Sequence, residues 1–206
     1  IIIKNHTANH WIWIGSSQSI FGQFDAPFYI FFLYLHSAKI RLKSNMESIR
    51  IREIQKQDNA QMAAIDRDVL TDLGAPKVGT AYADPYLDTL FEVYDIPRAI
   101  YYVVENNGKI LGGAGIMQLE NAEATICELQ KMYFLAEIRG LGFGTKLMNL
   151  CIEKAIEFGF ESCYIETMSY MDAAQKLYRK SGFEYLEQQI GNTGHNSCEV
   201  WMLKKL

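Results

Sequence analysis

Three glycines within five positions, Gly140, Gly142 and Gly144, stand between a strand-like stretch at 127–134 and a run of helical periodicity at 145–158. Losing three side chains frees the backbone to take angles closed to other residues and lets a ligand approach the main chain closely. Beyond the loop, Leu147, Met148, Cys151, Ile152, Ala155 and Phe158 recur at helical spacing with Lys146, Asn149, Glu153, Lys154 and Glu157 between them, and Gly159 is placed to stop the helix. A strand, a glycine loop and a helix in this order leave the first helical N–H groups unpaired at the positive end of the helix dipole. The spacing therefore predicts a site for a phosphate or pyrophosphate.

Two familiar phosphate loops do not match. A nucleotide-binding loop ends Gly-Lys-Ser/Thr, whereas Gly144-Thr145-Lys146 has the wrong order, and the register of the three glycines is not G-x-G-x-x-G. Arg139, Gly142 and Gly144 do match the pattern Arg/Gln-x-x-Gly-x-Gly/Ala, and in this the chain resembles bacterial-type members of the GNAT superfamily of acyl-CoA N-acetyltransferases. A second match lies downstream, where Ala174, Leu177, Tyr178, Gly182 and Phe183 follow the family's A-x-x-L-Y-x-x-x-G-F helix and turn. Residues 162–167 read as a strand, 48–52 resemble the family's first strand, and 99–105 with 110–118 read as a hairpin closed by Asn107-Gly108. The resemblance covers 46–206 and is strongest over 128–183. One departure is Met171, where the family often has an Asn that reaches the cofactor's pantetheine arm; Ser169 and Asp172 are the nearby polar substitutes.

The resemblance implies an α/β fold with a mixed, mostly antiparallel twisted sheet flanked by helices. It also implies acetyl-CoA as co-substrate, held by Met132, Tyr133, Phe134, Arg139, Gly140, Leu141, Gly142, Phe143, Gly144 and Thr145, with transfer to an amine of a small molecule or peptide and no metal. Amine acetylation needs a route for the ammonium proton and a donor for the departing thiolate. Glu128, eleven positions before Arg139, resembles the placement of a carboxylate base used in several family members, and burial would raise its pKa toward a useful value. The ordinary alternative is an ion pair with a neighbouring base. Tyr178 resembles the tyrosine that protonates the thiolate of coenzyme A; its alternative is a packed tyrosine with a hydrogen-bonded hydroxyl. A backbone N–H of Met132 or a neighbour would face the oxyanion where two parallel strands part. His195, in the turn 191–195 between two final strands at 183–188 and 198–204, reads as a solvated loop histidine or as an acceptor contact. The segment between the first two strands shapes the acceptor cleft, which brings in Tyr82, Asp84 and Tyr94. Two other readings use the same loop: a CoA-binding sensor without catalysis, and an acyltransferase that takes another acyl-CoA.

The first 45 residues differ from the rest. They are aromatic-rich, contain three of the four histidines and have no methionine before Met46; they carry +3 against −7 for 46–206, which together make the chain's −4. The break predicts an appended segment, from upstream translation or cloning or as an interfacial arm, followed by one catalytic domain at 46–206. Its apolar run at 26–35 is ten residues where a membrane span needs about 20, and its basic residues follow that run, the reverse of a signal peptide. Net negative charge on the remainder disfavours nucleic acid and modestly favours a cationic amine. Four cysteines without C-x-x-C spacing point to free thiols in a reducing cytoplasm. The resemblance admits a homodimer.

Overall fold

The computed structural model describes residues 48–206 and the backbone of two short strands, β1 (Ile2–Asn5) and β2 (His10–Trp13), which pair antiparallel in a sheet of their own. The apolar run 26–35 lies outside the described residues. The chain divides into one unit up to Ser48 and another from Ile49.

The second unit is organised on a seven-stranded sheet of β3 (Ile49–Glu53), β4 (Ile100–Asn106), β5 (Lys109–Gln118), β6 (Ile126–Phe134), β7 (Ser162–Thr167), β8 (Glu184–Tyr185) and β9 (Val200–Lys205), in the order 3-4-5-6-7-9-8. All neighbours are antiparallel except β6 and β7, which run parallel. Four helices pack on it: α1 (Asn59–Asp72), α2 (Leu90–Tyr94), α3 (Phe143–Glu157) and α4 (Asp172–Lys180). The mixed, mostly antiparallel sheet that the sequence implied is present. Asn107 (φ 49°) and Gly108 (φ 84°) close the β4–β5 hairpin in the doubly left-handed turn that Asn-Gly favours.

Alternation along β6 sorts its side chains between two cores. Cys127 and Leu129 join Leu147, Met148, Cys151 and Ala155 of α3 on one face. The other face carries Met62, Ile65 and Val69 of α1 against Tyr101, Val103 and Ile110. At Lys131 (φ 50°) the β5–β6 register shifts, so two β6 residues stand opposite Ala114 and the parity changes. Met132 and Phe134 consequently pack on the α3 side, and Tyr133 on the other. Gly113 and Gly115 of β5 make room for the aromatic rings beside the bulge: a Cβ at either would lie 2.5 Å from the Tyr101 ring, and at Gly115 also 2.6 Å from Tyr94.

Two features depart from the sequence reading. Strand β8 is only two residues long, where 183–188 was expected, because it pairs with β9 only at Glu184 and Tyr185 before the chain turns away. Helix α1 was not read at all, although Met62, Ile65, Asp66, Val69 and Leu70 form its buried face. Asp66 is fully buried, and among the described residues neither of its oxygens has a hydrogen-bond partner. Burial pushes its carboxyl well above the usual carboxylate range. The native state thus holds this proton more tightly than the unfolded chain, and stability falls as pH rises from the ordinary carboxylate pKa toward the raised native one. Asp66→Asn removes the ionisation, so its stability relative to the parent protein should grow with pH, by about 1–3 kcal/mol at the alkaline end. Urea midpoints at pH 6 and pH 9 measure this; a constant difference between the two proteins refutes it.

Candidate active site

After β6 a single 3₁₀ turn (Ala136–Ile138) leads into the glycine loop, and the Arg139 Nε donates to the Phe134 carbonyl at 2.8 Å, tying the loop to the end of the strand. Gly140 (φ 76°) and Gly142 (φ 86°) are left-handed, and Gly142 is the N-cap of α3. Lys146 N–H is the first in the helix to find a carbonyl, that of Gly142 at 3.1 Å. The N–H groups of Phe143, Gly144 and Thr145 have no partner among the described residues, which suits them to an anion. A Cβ at Gly140 or Gly142 would meet nothing within 4 Å, so these two glycines serve the backbone conformation and the space before it is open. Gly144 differs, since a Cβ there would lie 3.2 Å from Leu177 of α4. The loop therefore has the open backbone and unpaired N–H groups of an anion site.

From this loop a slot runs back along β6. Strands β6 and β7 pair only from Ile126 to Glu128 with Ser162 to Tyr164. From Leu129 onward the edge of β6 turned toward β7 has no strand partner, while its other edge stays on β5. The bulge holds this geometry, with the Tyr101 hydroxyl donating to the Lys131 carbonyl at 2.9 Å. Six residues of strand separate Phe134 from Glu128, about 20 Å at the usual rise. The slot can therefore take an extended ligand by its backbone amides, one end at the glycines and the other near Glu128.

Glu128 is 3% exposed. Its Oε2 accepts from Gln130 Nε2, and Gln130 Oε1 accepts from the Tyr94 hydroxyl at 2.8 Å. Burial raises its pKa to about 7, against the opposing effect of the Gln130 bond. Among the described residues it makes no ion pair, so the packed-salt-bridge alternative is not what they show. Tyr178 comes from α4 on the other side of the sheet, buried beside Phe183, and its hydroxyl makes no hydrogen bond among the described residues. Burial pushes it up to about 12, so it stays protonated at neutral pH. At Met171, the N-cap of α4, the side-chain sulfur lies 3.5 Å from Thr167 Oγ1, while Ser169 is turned to Glu199 at 3.1 Å.

Two loops cover Glu128. Asp84 meets Lys131 Nζ at 2.6 Å and His195 Nε2 at 3.0 Å, and Ser197 bonds the carbonyls of Gly79 and Val78 at 2.9 and 3.1 Å. Burial pushes the Asp84 carboxyl up, but the bonds to His195 and Lys131 outweigh it and leave it below the usual range. For His195 burial acts downward and the Asp84 bond overcomes it, raising the imidazole. His195 is accordingly not a solvated loop histidine: its side chain is 14% exposed and engaged. Tyr82 lies under Lys77 Nζ, 5.0 Å from the ring centroid. Tyr94 is a correction to the expected acceptor contacts, since it is buried edge-on to Tyr101 and reaches Glu128 only through Gln130. Two surface hollows, about 510 and 470 Å³, are lined by neither Glu128 nor Tyr178.

The comparisons with known proteins match this fold. Residues 68–183 fit the model of the acetyltransferase (GNAT) family. The chain belongs to that family. It is 45% identical to YjgM, an uncharacterized N-acetyltransferase of Escherichia coli, over 157 residues, 76% of this chain and 94% of that protein. A GNAT-family acetyltransferase of Staphylococcus aureus superposes with a TM-score of 0.67 at 20% identity, over 77% of this chain and 99% of the other. The yncA protein of Salmonella typhimurium, solved with acetyl-CoA, gives 0.60 at 22% identity over 77% and 94% of the two chains. The protein is thus an acyltransferase of the GNAT type. Gln130, Lys131 and Glu166 stand beside Glu128, Asp84 and His195 at the candidate site, and the sequence reading did not single them out. The alternation of Glu128 and Gln130 was a signal for the first; the bulge that redirects the second leaves none.

Proposed function

We propose that the protein transfers an acetyl group from acetyl-CoA directly to an amine of a small molecule or peptide, in the cytoplasm and without a metal. One observation supports the reading most: a slot that opens at unpaired helix N–H groups runs back along β6 toward a buried carboxyl with a pKa of about 7, while α4 supplies a buried tyrosine near 12. These are values suited to a base that must be ionised and an acid that must not be.

Bound acetyl-CoA supplies an activated acyl group. Glu128 takes a proton from the acceptor's ammonium, the freed lone pair then attacks the acyl carbon, and a backbone N–H on the open edge of β6, at Met132 or beside it, receives the negative charge that develops on the acyl oxygen; the second nitrogen proton leaves to water as the adduct collapses to the amide. Tyr178 gives its proton to the sulfur as the thioester bond breaks. Tyr178→Phe should lower kcat about 100-fold while leaving acetyl-CoA affinity unchanged; an unaltered kcat across the pH range removes Tyr178 from the role. The reading itself is tested by calorimetric titration of acetyl-CoA into the full chain, with thiol release followed over a panel of amines. Binding with amine-dependent release supports it. Binding without release favours a CoA sensor, and faster release from propionyl- or succinyl-CoA favours another acyl donor.

A further inference from the structure

The face of the sheet that carries Glu128 also carries a second carboxylate. Glu128 stands in register with Tyr164 on the parallel strand β7, and Glu166 follows two positions later on the same face. Three neutral donors fix it: the Tyr164 hydroxyl and Gln189 Nε2 reach Oε1 at 2.8 Å each, and Thr193 Oγ1 reaches Oε2 at 2.7 Å. Among the described residues no cation pairs with Glu166 or with Glu128. The nearest ones, Lys131 and His195, are both taken by Asp84. Glu128 spends one oxygen on Gln130, and its Oε1 accepts nothing among the described residues.

One oxygen from each of Glu128 and Glu166 and a ring nitrogen of His195 all lie within 4.8 Å of one another. Two carboxylate oxygens at that spacing can both accept from a single ammonium nitrogen at about 2.9 Å. An ordered carboxylate pair with no positive partner is costly unless a cation joins it. We propose that Glu166 is an acceptor-binding residue, and that the acceptor enters as a protonated primary or secondary amine held between Glu166 and Glu128. This rests on the acetyltransferase reading above and narrows its substrate to amines that are cationic at neutral pH, excluding alcohols and amides. The division of labour follows from the bonding. Glu166, fixed by three donors with an acceptor site left on Oε2, orients the nitrogen; Glu128, with a free oxygen and a burial-raised pKa, receives its proton.

Kinetics of the Glu166→Gln and Glu166→Asp variants test this, with tyramine, putrescine, lysine amide and a glycyl peptide as probes. Wild-type turnover with at least one of them is the control for the proposed function, and its absence for all four overturns both readings. Given turnover, Glu166→Gln should raise the KM of the amine at least tenfold while the KM of acetyl-CoA stays within twofold. The charged or titratable groups facing Glu128 are Glu166, His195, Lys131, Tyr94, Tyr164 and Cys198. Loss of the Glu166 charge should therefore move the acidic limb of kcat/KM to lower pH, whereas Glu166→Asp should keep the limb in place and recover part of the KM. An unchanged amine KM in Glu166→Gln overturns the inference and leaves the acetyltransferase standing. So does a joint fall in Tm and acetyl-CoA affinity in both variants with no movement of the limb, which would make Glu166 only a brace for the loop of Gln189 and Thr193. Inhibition by ZnCl₂ that Glu166→Gln abolishes without touching the amine KM would assign the cluster to a metal instead, and overturn it equally.

Discussion

Gly142→Glu should leave the protein folded and weaken acetyl-CoA binding at least 100-fold. The two halves of that expectation come from different observations. A Cβ at Gly142 meets nothing within 4 Å, so the new side chain has no protein atom to displace. Its φ of 86° does impose a left-handed conformation on a residue with a side chain, at about 1–2 kcal/mol. That is affordable for a folded domain but leaves the carboxylate directly before the free N–H groups of Phe143, Gly144 and Thr145, where the proposed diphosphate sits. The acid both occupies the anion site and repels the ligand. Gly142→Ala is the matched control: it carries the same backbone strain without the charge, and should keep most of the affinity. Calorimetry of acetyl-CoA with both variants, beside thermal melts, separates the two effects. If the Glu variant binds as the parent does, the loop is not the diphosphate site.

What could be read from the sequence was whatever depends on neighbours along the chain. The glycine loop, helix α3, strand β7 and the Asn-Gly hairpin each announce themselves within a dozen residues, and each lies where it was expected. The fold class followed from two motif matches in series. What stayed hidden depends on distance or on a change of parity. Asp84 and His195 are 111 positions apart, and no local pattern pairs them. The bulge at Lys131 reverses which face Met132, Tyr133 and Phe134 present, so an uninterrupted alternation through β6 misassigns all three. Tyr94 looked like a cleft residue because it ends a helix beside the acceptor loop. It is buried because Gly113 and Gly115, both without a Cβ, let the Tyr101 ring close on β5, and Gly115 the Tyr94 ring as well. Helix α1 escaped because Asp66 interrupts its apolar face, and an acid at a core position is a poor signal of burial.

That same contrast between a buried acid and its surroundings makes Glu128→Gln the most informative single change at the proposed chemistry. Glutamine keeps the shape of the side chain and can keep a hydrogen bond with Gln130 after an amide flip, so the Tyr94–Gln130 arrangement and the fold should survive. What it cannot do is accept a proton. In the parent protein the carboxyl must be ionised to act, and burial has raised its pKa to about 7, so kcat/KM should climb as pH rises through neutrality and then level. Below that point a growing fraction of the enzyme holds a protonated, inactive Glu128. In the Gln variant kcat/KM should drop by about 10²–10⁴ and the limb near neutral pH should vanish, leaving a residual rate that follows the free-amine fraction of the acceptor. Acetyl-CoA binding should be unchanged, because Glu128 lies at the far end of the slot from Gly142. A limb that persists in the variant at its original pH would belong to another group. His195, whose imidazole Asp84 holds above its usual pKa, is the titratable neighbour to examine then, and its charge would have to be lost, not gained, for the rate to rise. The two proteins' profiles, compared on one cationic amine at saturating acetyl-CoA, therefore decide whether the buried carboxyl takes the proton or only shapes the place where it leaves.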